Sequence, residues 1–362
     1  MKILYAIQGT GNGHLSRARD IIPLLQQRGD LDILISGTQA EVQLPHEIKY
    51  RFKGLGFVFG EKGGIDLWKT YRKSSLRNVF KEINLLPIEQ YDLVINDFEP
   101  VSAWACYLKN KTCFALSHQA AVIGKHAPKP KSFDFVGKAI LKNYAPADIR
   151  YGLHFCAYDK NTFTPVIRQE VRHLIPEKKG HFTVYLPAYS DKRIISILSQ
   201  FPDTKWQVFS KHAEKKYAEH NISVFPISNH DFMVSLAGAD GILCGAGFET
   251  PAEALFLGKK LMVIPMKQQV EQQCNAAALK DMGIPVIKSL KSKYKINISD
   301  WLTSAPVITV RYPDRTEEII DEIFRIHRSG LRQAPIIPGK NARSVSELRK
   351  LSLKKILVQL AG

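Results

Sequence analysis

The chain has 362 residues, of which 45% are hydrophobic and 23% charged, an ordinary globular composition that excludes a disordered tract, a collagen repeat and a disulfide mini-fold. Lys and Arg number 51 against 34 Asp and Glu, and the resulting +17 favours a polyanionic partner: phosphate groups, nucleic acid or an anionic membrane. No apolar run reaches the roughly 18–20 residues of a membrane span, Met1–Gln8 is too short for a signal peptide, and five scattered cysteines without a C-x-x-C pair suggest neither a disulfide framework nor a zinc site.

The expected location is therefore cytoplasmic, with peripheral attachment to the inner face of a membrane as the second expectation. Along the chain, Lys2–Gln8 reads as a strand and Leu15–Arg28 as a helix that Pro23 should kink or shorten. Asp32–Ser36, Asp92–Asn96 and Thr112–Leu116 read as further strands. Near-continuous apolar strands separated by helices predict a parallel sheet covered on both faces. Asn161–Arg168 is the expected linker.

The pattern then restarts. Phe182–Leu186, Trp206–Phe209, Ser223–Phe225, Gly241–Cys244, Leu261–Ile264 and Pro285–Ile287 are predicted strands, with helices over Asp191–Gln200, Asp231–Ala237, Thr250–Leu257 and Val270–Met282. Two α/β domains are expected, over 1–163 and 164–328, and a basic tail over 329–362. In the tail, Ser344–Leu360 begins with a capping box and carries one apolar stripe, as a docked terminal helix would.

Gly9-Thr-Gly11-Asn12-Gly13-His14 follows the first strand and opens a helix. Glycines there bring backbone N–H groups and a helix N-terminus towards the carboxyl edge of the sheet. A dinucleotide fingerprint fits badly, since His14 stands where its last glycine belongs and no acidic residue ends the second strand. No Walker lysine follows either. His14 is a candidate proton acceptor, and Asp97, ending Val94-Ile-Asn-Asp97, is either functional or a cap for the next helix.

The densest signal is Cys244-Gly245-Ala-Gly247-Phe-Glu249-Thr250-Pro-Ala-Glu253, followed by Gln269-Val-Glu271-Gln272-Gln273-Cys-Asn275. Glycines again precede a helix whose first amides suit a diphosphate. Glu253, one turn on, could accept both hydroxyls of a ribose. Glu271 and Gln272 open a further helix from which they could hydrogen-bond a sugar.

These motifs resemble those of the GT-B glycosyltransferases that use nucleotide sugars, in particular the lipid II-forming N-acetylglucosaminyltransferase branch and a wider bacterial and archaeal group with a Gly-x-Gly-x-Gly-His start. The resemblance runs from residue 1 to about residue 328. It implies two Rossmann-like, doubly wound domains facing a central cleft, with the acceptor held by the first and the donor by the second. It also implies that Gly245, Gly247 and Thr250 hold the donor phosphates, Glu253 the ribose, and Glu271, Gln272 and Gln273 the sugar, with uracil read by backbone near Ile227. Gly11, Asn12, Gly13 and His118 form the counterpart acceptor or phosphate loop. Where the lipid II branch has His-Glu-Gln-Asn, this chain has Ser117-His118-Gln119-Ala120.

The implied activity is hexosyl or N-acetylhexosaminyl transfer from a nucleotide sugar, expected to be UDP-linked, to a glycan, lipid or small-molecule hydroxyl in cell-envelope synthesis. The candidate bases are His14 and Asp97, with Asp97 also able to orient His14; His118 is the third choice. Retaining relatives carry glutamates eight positions apart, whereas Leu257 and Leu261 stand eight after Glu249 and Glu253, which favours inversion. Asp30-Leu-Asp32 enters a strand and reads as turn chemistry, so neither a cofactor nor an obligatory metal is expected. Open alternatives are a nucleotide-sugar 2-epimerase and a non-catalytic nucleotide- or polyanion-binding protein.

Basic and aromatic residues interleave over Lys49–Lys81, and Lys125–Lys142 is also basic, which suits an anionic membrane surface or a lipid diphosphate. Nucleic acid is not expected as a partner, because no RRM, KH, OB or helix-turn-helix pattern accompanies the charge.

Overall fold

A computed structural model describes residues 1–37, 44–54, 76–130, 141–267 and 269–330. Most of the basic-aromatic stretch, the segment 131–140 and the predicted helix Ser344–Leu360 lie outside the described residues. The chain divides into two compact units: residues 1–127, 132–168 and 313–362 form one, and residues 128–131 and 169–312 the other.

The first unit holds seven parallel strands: β1 (Lys2–Gln8), β2 (Asp30–Ser36), β3 (Tyr50–Phe52), β4 (Leu93–Asp97), β5 (Phe114–Ser117), β6 (Ile149–Leu153) and β7 (Thr162–Phe163), in the order β3-β2-β1-β4-β5-β6-β7. The middle strands are buried over almost their whole length, β1 reading Ile3, Leu4, Tyr5, Ala6 and Ile7 without exposure. Burial on both faces explains why the sequence shows apolar runs instead of alternation. Helices α1 (Asn12–Gln26), α2 (Leu76–Leu85), α3 (Pro100–Leu108) and α4 (His118–Val122) connect the strands.

Pro23 lies inside α1, which ends three residues later at Gln26, and Ile21, Ile22 and Leu25 of its last turns are buried. Two expectations change here. Thr162–Phe163, expected within the linker, pairs with β6 as the edge strand β7. The terminal helix Thr316–Arg328, expected with the second domain, packs in the first unit through buried Ile319, Ile320, Ile323 and Phe324, with Arg28 bonded to Asp321 at 2.6 Å.

The second unit holds β8 (His181–Tyr185), β9 (Lys205–Ser210), β10 (Tyr217–Glu219), β11 (Ile222–Pro226), β12 (Gly241–Gly245) and β13 (Lys260–Ile264), in the order β10-β11-β9-β8-β12-β13. Only β10 runs antiparallel among these strands. Pro285–Ile287, predicted as a strand, contributes one parallel bridge, Val286 to Val263. Helices α5 (Gln169–Arg172), α6 (Asp191–Leu198), α7 (Asn229–Gly238), α8 (Glu249–Phe256), α9 (Val270–Asp281) and α10 (Lys295–Thr303) belong to this unit, and the first unit's Thr316–Arg328 is α11. Trp206 and Trp301 are buried side by side in the second core, with Phe182 edge-on to Trp301.

Strand order reverses between β1 and β4 in the first sheet and between β8 and β12 in the second. In open α/β sheets such switch points leave a crevice at the strands' carboxyl ends, where ligands bind. His14 and Asp97 follow β1 and end β4; the Gly245 turn ends β12. Each glycine motif thus lies at the reversal of its own sheet.

Candidate active site

In the first unit, Gly9 closes tightly on the end of β2. Its N–H donates to Ser36 O at 2.6 Å, and a Cβ there would come within 2.8 Å of Ile35 Cγ2. Gly37, with φ of +113°, packs against it. Gly11 has extended backbone and precedes α1 without a side-chain cap; Asn12 and Gly13 form the first turn, partly exposed.

His14 projects from that turn. Its Nδ1 lies 2.8 Å from Asp97 Oδ1, and its side chain remains 14% exposed while Asp97 is fully buried. Arg17, one helical turn further and 2% exposed, holds the same carboxylate with two bonds, Nε to Oδ2 at 2.7 Å and Nη2 to Oδ1 at 2.6 Å. Burial alone would raise the Asp97 carboxyl, but the Arg17 and His14 charges outweigh it and hold the group below the usual aspartate range. Asp97 is therefore a carboxylate.

Asp97 is free for this contact because Glu99 takes the capping duty. Glu99 accepts from the Val101 and Ser102 amides, both at 2.6 Å, and Pro100 fills the first position of α3. Asn96 accepts from the Glu99 N–H at 3.0 Å and donates to the Glu99 carbonyl at 2.6 Å, which fixes the turn. Phe98 between them has φ of +57°, a strained value for an aromatic residue. Its ring packs 4.8 Å from that of Tyr144, whose hydroxyl meets Gln8 Nε2 at 3.0 Å. Burial raises the Glu99 carboxyl despite its capping bonds.

His118 is fully buried, its Nδ1 2.7 Å from Leu153 O and its ring edge-on to His154. The neighbouring Gln119 instead reaches His14, with Nε2 3.5 Å from His14 Nε2. The amide donor on Nε2 and the carboxylate on Nδ1 suit the tautomer protonated at Nδ1, whereas Arg17 Nη2, 2.7 Å from Nδ1, suits the other. Sequence motifs did not single out Arg17 or Gln119 as functional. The i, i+3 spacing of His14 and Arg17 on one helix face was the available signal.

In the second unit, Gly245 and Gly247 form the turn into α8, which starts without a side-chain cap. Among the described residues, no atom beyond its chain neighbours lies within 4 Å of a Cβ projected from Gly247, and a Cβ at Gly245 would be 3.8 Å from Gln272 Oε1. Thr250 is partly exposed at the helix start, and Glu253, one turn on, is 3% exposed. Buried Asn275, to which the sequence motifs assigned no role, donates to Ala246 O at 3.1 Å and holds the turn from beneath.

Gln272 accepts the Met266 N–H at 2.9 Å, and Gln273 donates to the Met266 carbonyl at 2.9 Å, so both clamp the β13–α9 connection. Glu271 is partly exposed beside them, whereas Ile227 sits 37% exposed between β11 and α7. Asp32 of the D-x-D accepts from Tyr91 and Lys49, both at 2.6 Å. Among the described residues, no three His, Cys, Asp or Glu are grouped to hold a metal ion, and no helix is long and apolar enough to cross a membrane.

The fold has solved counterparts. Acinetobacter baumannii MurG shares 18% identity with a TM-score of 0.55, covering 90% of this chain and 99% of its own. SsfS6, a Streptomyces sp. SF2575 glycosyltransferase complexed with thymidine diphosphate, shares 14% identity with a TM-score of 0.55 over 90% of this chain and 99% of its own. The spinosyn rhamnosyltransferase SpnG, also with thymidine diphosphate, shares 13% at a TM-score of 0.54, covering 91% of this chain and 99% of its own. No curated protein sequence matches the chain. The sequence profile of glycosyl transferase family 1 matches residues 1–306. The chain belongs to glycosyl transferase family 1: it is a hexosyltransferase of GT-B architecture built from two Rossmann-like domains.

Proposed function

We propose that the chain transfers a hexosyl or N-acetylhexosaminyl group, with inversion and without an obligatory metal, from a UDP-linked sugar to a glycan, lipid or small-molecule hydroxyl of the cell envelope. The observation that carries this is the 2.8 Å contact between Nδ1 of the partly exposed His14 and buried Asp97. The acceptor hydroxyl gives its proton to Nε2 as its oxygen bonds to the anomeric carbon. The bond from that carbon to the diphosphate oxygen breaks, and the oxygen departs with the electron pair. Asp97 stabilises the imidazolium so formed.

The departing diphosphate is assigned to the amides of the Gly245–Thr250 turn and to Thr250 itself, at the positive end of α8. Glu253 takes the ribose hydroxyls, and the backbone near Ile227 takes uracil. Glu271 faces the sugar, with the amide atoms of Gln272 and Gln273 that Met266 does not use. The first turn of α1, Gly11 to Gly13, lies beside the acceptor. Thymidine diphosphate in SsfS6 and SpnG, two proteins of this fold, supports a nucleoside diphosphate leaving group. The basic charge supports an acceptor carried on an anionic membrane surface.

The test is UDP release from a panel of UDP-sugars with and without glycan and lipid acceptors. Acceptor-dependent release is the expected result. Conversion of the nucleotide sugar alone would mean epimerisation, and binding without turnover would mean a non-catalytic protein.

A further inference from the structure

The second unit carries a charge pattern that the transfer reaction does not use. Lys288-Ser-Leu-Lys291-Ser-Lys293-Tyr-Lys295 places four lysines in eight positions, all four exposed and none ion-paired among the described residues. At other places cations meet acids, as Arg28 meets Asp321, Lys49 meets Asp32 and Lys109 meets Glu89.

The lysines also stand where a helix least favours them. The 3-10 turn Ser292–Tyr294 runs into α10, both start without a side-chain cap, and the first turn of α10 has no acidic residue. Positive side chains there add to the positive end of the helix dipole instead of offsetting it. The segment is nevertheless firmly seated. Leu290 is buried, its N–H donating to the Tyr189 hydroxyl at 3.2 Å. Its carbonyl accepts from Arg193 Nε at 3.0 Å, which brings a further exposed cation alongside. Ile298 and Trp301 are buried in the second core, whereas Ile296, next to Lys295, is 74% exposed.

We infer that the start of α10 is a docking surface for an anionic lipid bilayer, in which the lysines meet the headgroups and Ile296 enters the boundary beneath them. Like charges gathered at a helix N-terminus repel one another and the dipole, and an anionic surface offsets both effects. Ile296 favours a bilayer over a nucleic acid. An apolar side chain gains by leaving water for the acyl boundary, and a phosphate backbone offers it no such region. This surface shares no residue with the donor and base assignments and goes beyond them.

The test is sedimentation of the full chain with vesicles of phosphatidylcholine, either alone or with about 30% phosphatidylglycerol, at about 0.1 M salt. Wild type should bind only the anionic vesicles and be released at about 0.5 M salt. With about fivefold lost per lysine, K288Q/K291Q/K293Q/K295Q should bind them ~10²–10³-fold more weakly. Its melting temperature should stay level or rise, because charges opposing the dipole are gone, and this separates lost binding from lost folding. I296S should bind about tenfold more weakly with every lysine in place.

Equal binding by wild type and the quadruple variant overturns the inference, since other basic stretches would then carry the contact. So does a wild type that binds no anionic vesicle. An unaffected I296S, or capture of a fluorescent oligonucleotide in place of vesicles, overturns the bilayer as the partner. Sedimentation needs no nucleotide sugar, so failure of the donor or base assignment leaves this result readable.

Discussion

The two glycine motifs end in opposite kinds of site. In the first unit, the turn after β1 leads to a compact ionic cluster in which His14, Arg17 and Asp97 meet within 2.8 Å contacts and the carboxylate is fully buried. In the second, a neutral amide supports the turn after β12, Asn275 on Ala246 O, and two more, Gln272 and Gln273, clamp the neighbouring β13–α9 connection through Met266. Proton transfer needs a group whose charge changes, and a polarised partner beside it. Holding an anion through backbone amides needs a turn left open, which uncharged braces supply without competing for the anion. On the proposed roles, the same strand-turn-helix unit would serve either end, depending on whether its supports carry charge.

The largest effects should fall on the ionic cluster. H14A and D97A should each lower acceptor-dependent turnover by ~10²–10⁴-fold, the usual range for a general base, while UDP affinity measured by calorimetry stays near wild type. D97A should also cost ~3–5 kcal/mol in folding stability, because Arg17 would remain buried without its carboxylate. D97N should lose turnover with a smaller stability loss, which separates chemistry from folding. Wild-type turnover in both H14A and D97N would remove the contrast between the two turns.

Next come the groups at the second turn. E253A should weaken UDP binding by ~1.5–3 kcal/mol, the worth of hydrogen bonds to a charged group, with the nucleotide affinity read by calorimetry. N275A strips the Ala246 carbonyl of its partner and should cost ~1–3 kcal/mol, read as a lower melting temperature together with weaker UDP binding. If N275A weakened turnover without touching UDP affinity, the second turn would not be the donor's seat.

The smallest effect is one of acidity. The carboxyl of Asp97 is held below its ordinary value in the folded chain, since its cationic neighbours outweigh its burial. The unfolded chain, with an aspartate near ~3.9, binds that proton more readily. The stabilisation is therefore complete above that value and is lost as pH falls through the lower folded one. Between about pH 5 and pH 3, D97N should lose less melting temperature than wild type. Parallel curves would mean that Asp97 gains nothing from its partners.

Strand identity was legible wherever both faces are buried, as in Lys2–Gln8 and Gly241–Gly245, because a short unbroken apolar run bounded by glycine suits a strand covered on both sides. Short edge elements were not. Thr162–Phe163 has two residues and no pattern, and it owes its pairing to β6. The terminal helix Thr316–Arg328 was hidden differently: sequence order placed it with its neighbours, while its isoleucine face finds its partners in the first unit.

In the site, His14 and Asp97 could be chosen because both lie at the carboxyl ends of strands in a parallel sheet. The division of labour between Asp97 and Glu99 could not, since either carboxylate is a reasonable helix cap until the turn is built. Arg17 and Asn275 were missed for a related reason. Each acts through another residue, Arg17 on Asp97 and Asn275 on Ala246 O, and a quoted motif does not say which of its side chains only support the others. His118 shows the converse, a histidine well placed in sequence whose ring is wholly buried against a backbone carbonyl.

A crystal structure of the full chain with UDP tests the assignment of the neutral turn most directly. The diphosphate should lie within hydrogen-bond distance of the amides from Gly247 to Thr250, with the ribose hydroxyls on Glu253. UDP bound anywhere else, with that turn empty, would contradict the account.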